Sequence, residues 1–256
     1  MPEIPLRPRT APEIVDAAFV LARRHYAPLV TTAAIGAMAT AVVQMLNWRS
    51  AAPAAPTMAT GSGALLTMLS MALAFLAHGA GVAVAAEAYV GRRLDPGEAF
   101  ARALRRAWPL FASGAYYMAM LFGGLALLIV PAVYVFSRYG VLVAVVMMEP
   151  LGPIASLRRT ATLTEGRRWR VLATIGLAYL VATGFSLATQ YLFRQIGGSL
   201  HAATLASLAV GVVLSPFYSA IGAALYYDLR IAREGFDLES LAAELEAADS
   251  AVPAVG

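Results

Sequence analysis

The chain alternates long apolar runs with short, arginine-rich polar segments, and the run lengths set its class. The longest, Ala107–Met148, reads AWPLFASGAYYMAMLFGGLALLIVPAVYVFSRYGVLVAVVMM and carries one charge, Arg138. At about 1.5 Å per residue, residues 107–130 as one helix exceed a hydrocarbon core of about 30 Å. Pro131 has no N–H, so it marks a turn, and residues 132–148 run back to Glu149-Pro150. This reads as a transmembrane hairpin with an arginine inside the membrane. Further spans are predicted over 27–46, 64–90, 171–193 and 202–227, the last interrupted at Ser215-Pro216. The expected fold is therefore all-α, a polytopic membrane helix bundle of about six spans.

The polar segments have a pattern of their own. Over Thr10–Ala27, Thr10 and Glu13 have capping-box spacing, and Ile14, Ala17, Ala18, Leu21 and Ala22 repeat at helical spacing. Arg23-Arg24-His25-Tyr26 closes that helix. An in-plane helix on anionic lipid and a flank helix packed on the bundle both fit it. Residues 91–107, GRRLDPGEAFARALRRA, place Asp95 as N-cap and Pro96 at the first helical position. That helix ends in Arg105-Arg106. Residues 149–170 predict a third short basic helix. AFVLARRHYAPLV (18–30) and AFARALRRAWPLF (99–111) share Ala-Phe, Arg-Arg, an aromatic and Pro-Leu at the mouth of a span. LRRTATLTEGRRWRVLA (157–173) is a looser third copy. The chain thus reads as three modules, each a basic surface helix followed by a hairpin.

Composition agrees with this reading: 60% of the 256 residues are hydrophobic, 13% are charged, and mean hydropathy is +0.69. Soluble domains carry about 25% charged residues. There is no cysteine, which excludes a disulfide frame, a thiolate metal site and a thiol nucleophile. Every basic side chain is arginine, and with so much alanine this suggests a GC-rich bacterial genome. The N-terminus lacks an apolar signal-peptide core, so the first span is expected to persist in the mature chain. Residues 1–232 read as the helical membrane domain. Residues 233–256 read as an acidic cytoplasmic tail, with Leu238, Leu241, Ala242 and Leu245 on one face.

Arginine placement gives the orientation. Sixteen of the nineteen arginines fall in the N-terminal segment, residues 91–106, residues 158–170 and the tail, and only Arg49 and Arg194 fall on the opposite side. By the positive-inside rule both termini are cytoplasmic, in a multi-pass plasma-membrane protein.

Candidate chemistry is sparse. An arginine in lipid costs at least about 2.5–3.5 kcal/mol, so Arg138 should face the bundle, water or a partner. Counting along helices from Glu87 and Glu149 places His78 and Arg138 at one depth. Arg138, His78, Glu87 and Glu149 are therefore the candidate polar intramembrane site, with carbonyls freed by Pro131 or a lipid phosphate as partners for Arg138. Snorkelling of Arg138 to the outer surface is the alternative. Glu87 and Glu149 read equally as boundary residues bonded to nearby arginines. Arg23, Arg24, Arg105, Arg106, Arg158, Arg159, Arg167 and Arg168 are candidate lipid-surface contacts. A phosphate loop needs lysine, which is absent, and no HExxH occurs. No catalytic set, metal site or cofactor is expected. Apolar spans interrupt the arginine clusters, so membrane lipid, anionic in particular, or a membrane protein is the expected partner, and not nucleic acid.

Three stretches resemble the membrane-domain family named after glycerophosphoryl diester phosphodiesterases. They are LRPRTAPEIVDAAFVLARRHYAPLV, the run from Pro131 through Arg138 to EPLGPIASLRR, and YYDLRIAREGFDLESL over Tyr226–Leu241. Ala161 and Ala232 depart from its common pattern. The resemblance implies a helical membrane domain, in some relatives fused to a catalytic barrel. The histidines and metal-binding carboxylates of that barrel are not in this sequence. The expected function is a non-enzymatic integral membrane protein that engages lipid or a membrane partner through a basic cytoplasmic face. A small transporter or channel using Arg138 is the alternative.

Overall fold

The computed structural model describes residues 10–50 and 61–234. All regular structure among them is helical. Six helices are long and apolar enough to cross a membrane. The acidic tail, and the candidate external loop around Pro56, lie outside the described residues.

Each predicted module is present. Surface helix α1 (Ala11–Arg24) leads into the hairpin of α2 (Tyr26–Ser50) and α3 (Gly61–Tyr89). Next comes α4 (Pro96–Arg105), which leads into α5 (Ala107–Leu127) and a return leg split into α6 (Ile129–Tyr139) and α7 (Leu142–Met148). The third module is α8 (Pro153–Thr164) with α9 (Arg168–Gln195) and α10 (Leu200–Glu234). In every module the two legs of the hairpin pack on each other. Because each hairpin starts and ends on the same side, α1, α4 and α8 share one end of the bundle with the end of α10.

Local chemistry starts the surface helices. The Thr10 N–H donates to Glu13 Oε2 at 2.8 Å, the return half of the capping box. Asp95 Oδ2 accepts the Gly97 N–H at 2.9 Å, and Pro96 opens α4, where a missing N–H costs nothing. The stripe Ile14, Ala18, Ala22 is fully buried where α1 meets α10 and α9. So α1 is a flank helix packed on the bundle, with Phe19, Arg23 and Arg24 left outward.

Two proline expectations are corrected. The turn of the central hairpin is at Leu128, in extended conformation between α5 and α6. Pro131 lies in the first turn of α6, where its lack of an N–H breaks no bond. The hairpin closes tightly because a Cβ on Gly124 would sit 3.0 Å from the Ala132 nitrogen. Second, α10 is not interrupted at Ser215-Pro216: it runs through Pro216 to Glu234. Pro216 leaves the Val212 carbonyl without its i+4 donor, and the Ser215 hydroxyl donates to that carbonyl instead at 2.8 Å.

The core lies toward the arginine-rich end. It joins Val82, Val84 and Ala86 of α3, Val141 and Val145 next to and within α7, and Ala224, Leu225, Tyr226 and Leu229 of α10. Away from it, large apolar side chains such as Met68, Leu127, Leu180 and Leu187 stand exposed around the bundle. Such a surface is unfavourable in water and is the surface a bilayer solvates.

Candidate functional site

Polar chemistry concentrates at the arginine-rich end, where arginines divide into three kinds by what they touch. The first kind pairs with carboxylates. Arg102 Nη1 donates to Glu87 Oε1 at 2.6 Å, and Arg92 lies 3.9 Å from the same carboxylate. Arg159 Nε meets both oxygens of Glu149, at 2.9 and 2.8 Å, and its Nη1 pairs with Glu234. Arg170 pairs with buried Asp228 at 3.0 Å, and Arg233 with Glu165 at 2.9 Å. The Glu234 carboxylate, then Glu149, raise the Arg159 pKa above its ordinary value.

The second kind caps backbone. Arg106 gives hydrogen bonds to the carbonyls of Val146 (3.0 and 2.8 Å), Leu151 (3.3 Å) and Glu149. These are carbonyls at and beyond the end of α7, which helix geometry leaves open. Burial there lowers the Arg106 pKa. Arg167 donates to the Ala232 carbonyl at 2.9 Å and fastens the start of α9 to the end of α10.

The third kind has neither partner among the described residues. Arg23, Arg24, Arg105 and Arg158 are exposed, Arg23 resting over the Phe19 ring at 5.8 Å. Arg138 and Arg168 are only half exposed, and the Nε of each is buried without a hydrogen-bond partner.

Of the eight arginines expected at a lipid surface, then, Arg23, Arg24, Arg105 and Arg158 face outward. Arg106, Arg159 and Arg167 are internal fasteners. Arg168 lies over the Tyr134 ring, its Cζ 4.6 Å from the centroid. The four residues grouped as an intramembrane site keep separate company. Glu87 and Glu149 belong to the ion pairs above. Tyr226 of the YYDLR stretch also donates to Glu149 Oε1 at 3.0 Å, and Tyr227 stacks on Tyr89 at 4.8 Å. Arg138 donates to the Tyr134 hydroxyl at 2.7 Å. Its carbonyl accepts from Thr164 at the end of α8, at 2.9 Å, so Arg138 sits near the arginine-rich end and not beside His78. The reason is the break at Gly140-Val141, which lets α8 and the start of α9 pack alongside α6.

His78, itself exposed, instead lines an open cleft of 280 Å³ between α2, α3 and α10. Thr32, Thr40, Ser207, Ser215 and Ser219 share its wall, and no charged side chain does. Thr32, Thr40, Ser207 and Ser215 donate to carbonyls of their own helices, so their oxygens offer lone pairs to the cleft. This cleft was not foreseen; the hydroxyls recur at helical spacing, but so do those that merely back-bond in any span.

Among the described residues no group of histidines and carboxylates could hold a metal. Comparison with known proteins gave no matching family model, no matching curated protein and no matching solved structure. The fold itself defines the class: six apolar helices with an outward apolar surface make this a multi-pass integral membrane protein.

Proposed function

We propose that this protein is non-enzymatic and engages anionic lipid, or a membrane partner, through its arginine-rich end, which faces the cytoplasm of a plasma membrane. One observation carries the reading. Arg23, Arg24, Arg105 and Arg158 stand outward on the three surface helices of one end, with no carboxylate on any of them among the described residues. Anionic headgroups are the countercharge a bilayer offers there. Five acids of that end support the non-enzymatic part: Glu87, Glu149, Glu165, Asp228 and Glu234 are each engaged by arginine. The resemblance to the glycerophosphoryl diester phosphodiesterase membrane-domain family belongs to the same proposal. The test is affinity for nanodiscs' constituent lipids in detergent, phosphatidylglycerol against phosphatidylcholine. Replacing all four outward arginines with Gln should remove about 1 kcal/mol of salt-dependent preference per arginine. Equal affinity of the wild type for both lipids overturns the reading.

The hydroxyl-lined cleft at His78 favours a second reading, a small transporter or channel for a neutral polar molecule. It differs from the sequence expectation in being centred on His78 and not on Arg138. Because the chain lacks cysteine, single cysteines at Ser207, Ser215 and Ser219 report water access directly. Labelling of all three by a membrane-impermeant thiol reagent supports transport, and protection of all three supports a sealed bundle.

A further inference from the structure

We propose that Arg138 and Arg168, assembled on Tyr134, form a discrete seat for the phosphate of a membrane phospholipid. This rests on the anionic-lipid reading above and sharpens it from a charged surface to a stoichiometric site. Both guanidinium groups share one ring, with Cζ 5.8 Å (Arg138) and 4.6 Å (Arg168) from the Tyr134 centroid. Arg138 also lies 5.9 Å from the Tyr139 ring. Ring faces and one hydroxyl hold the two cations in place, but they neutralise neither.

The surroundings make that an exception. Elsewhere at this end, half-buried arginines end on a carboxylate or a backbone carbonyl: Arg102, Arg159 and Arg170 on the former, Arg106 and Arg167 on the latter. Among the described residues Arg138 and Arg168 have neither, and each keeps a buried Nε with no acceptor there. Two like charges gathered on one ring, with no counter-ion among the described residues, repel, and a desolvated N–H left unpaired costs free energy. One phosphate supplies the missing counter-charge to both, since its oxygens can accept from two planar forks. The N-terminus of α9, where Arg168 is the first residue, adds a partial positive charge of the same sign. The rim identifies the source. Trp169 is 82% exposed beside Arg168, and Tyr134 is 43% exposed. An aromatic rim at the end of a span is where headgroups meet acyl chains.

The experiment measures phosphatidylglycerol binding to delipidated full-length protein in detergent, by native mass spectrometry and by titrated thermal stability. The variants are Arg138→Gln, Arg168→Gln and the pair. Wild type is expected to retain one tightly held lipid, and the double variant to bind it about tenfold more weakly or worse. Tyr134→Phe keeps the ring and should retain the lipid, whereas Tyr134→Leu should lose it. The four outward-arginine changes should lower salt-dependent binding of further lipids and leave the single tight lipid in place. Excess inorganic phosphate should not displace the lipid. If it does, and saturates wild type alone, the seat is for a soluble phosphate and the lipid assignment is overturned. Unchanged tight binding in the double variant, with its fold verified by gel filtration, overturns the seat and leaves the surface reading standing. No preference of any form for the anionic lipid overturns both.

Discussion

His25, Arg106 and Arg167 are one residue used three times. Each joins a surface helix to its span, and each has nearly the same backbone: φ −117°, ψ 32°; φ −98°, ψ 10°; φ −125°, ψ 16°. This bridge conformation breaks the helical ladder, in the third joint together with the left-handed Gly166 at φ +76°. What the side chain does then differs, as Arg106 and Arg167 bond to carbonyls while His25 stays beside arginines. Burial, then Arg93 and Arg24, lower the His25 pKa from 6.5. The folded protein therefore binds fewer protons than the unfolded chain as pH falls through 6.5. The contribution of neutral His25 is complete above 6.5 and is lost below it. Thermal midpoints measured down from neutral pH should fall more steeply in wild type than in His25→Gln, and superimposable profiles would refute this. Asp228 is the other residue with a sharp expectation. It is 3% exposed and holds Arg170. Asp228→Ala should cost about 2–4 kcal/mol by stranding that guanidinium, read as a lowered midpoint in detergent. Recovery is expected in Asp228→Glu but not in Asp228→Asn.

At the scale of elements, close approach of small residues replaces large side chains as the means of packing. A Cβ on Gly36 of α2 would lie 2.7 Å from the Ala77 Cβ and 3.1 Å from the Ala74 Cα of α3. Backbone contacts of this kind are how helices associate where the solvent is itself apolar. Gly36→Ala should therefore destabilise by about 1–3 kcal/mol through overpacking. Gly176→Ala, where a Cβ meets nothing within 4 Å, should be neutral or slightly stabilising; equal effects of the two would contradict the packing account. Apolar length and arginine punctuation made the spans and the three modules legible, because both follow directly from the thickness of a bilayer. The bends were less legible. Proline marks where a donor is missing, but Pro131 sits where none was needed and Pro216 is repaired by a neighbouring serine. The division among arginines was hidden for a related reason. Arg158 and Arg159 are adjacent in sequence, and helix phase alone turns one outward and the other onto Glu149. The buried face of α8 is Ser156, Thr160 and Thr164 as much as leucine, so its phase leaves little apolar signal. Tyr134 and Arg138 are four apart on one helix and their contact was readable; the approach of Arg168 needed the fold.

For the whole molecule, one end is tied by ion pairs and the other is held by apolar contact, and this asymmetry decides what each part of the chain contributes. Glu234 closes the network by meeting Arg159 and Arg230, so a chain ending there should insert and melt as the full chain does. Loss of all membrane-inserted protein on that truncation would make the tail part of the fold. Orientation belongs to the proposed function, and the placement of charge supports it. Exposed Arg23, Arg24, Arg92, Arg93, Arg105 and Arg158 gather at one end, against Arg194 at the far end of α9 among the described residues. The membrane potential and anionic inner leaflet retain arginine-rich segments on the cytoplasmic side during insertion. A cysteine at Ser199, between α9 and α10, should therefore react with an impermeant reagent in intact cells. Reporter fusions at Pro56 and Gly256 should read external and internal respectively. A cysteine at Gly152, at the start of α8, should react only after the cells are opened. Reaction of Gly152→Cys in intact cells, with protection at Ser199, would invert the topology. It would also move the phosphate seat to the outer leaflet.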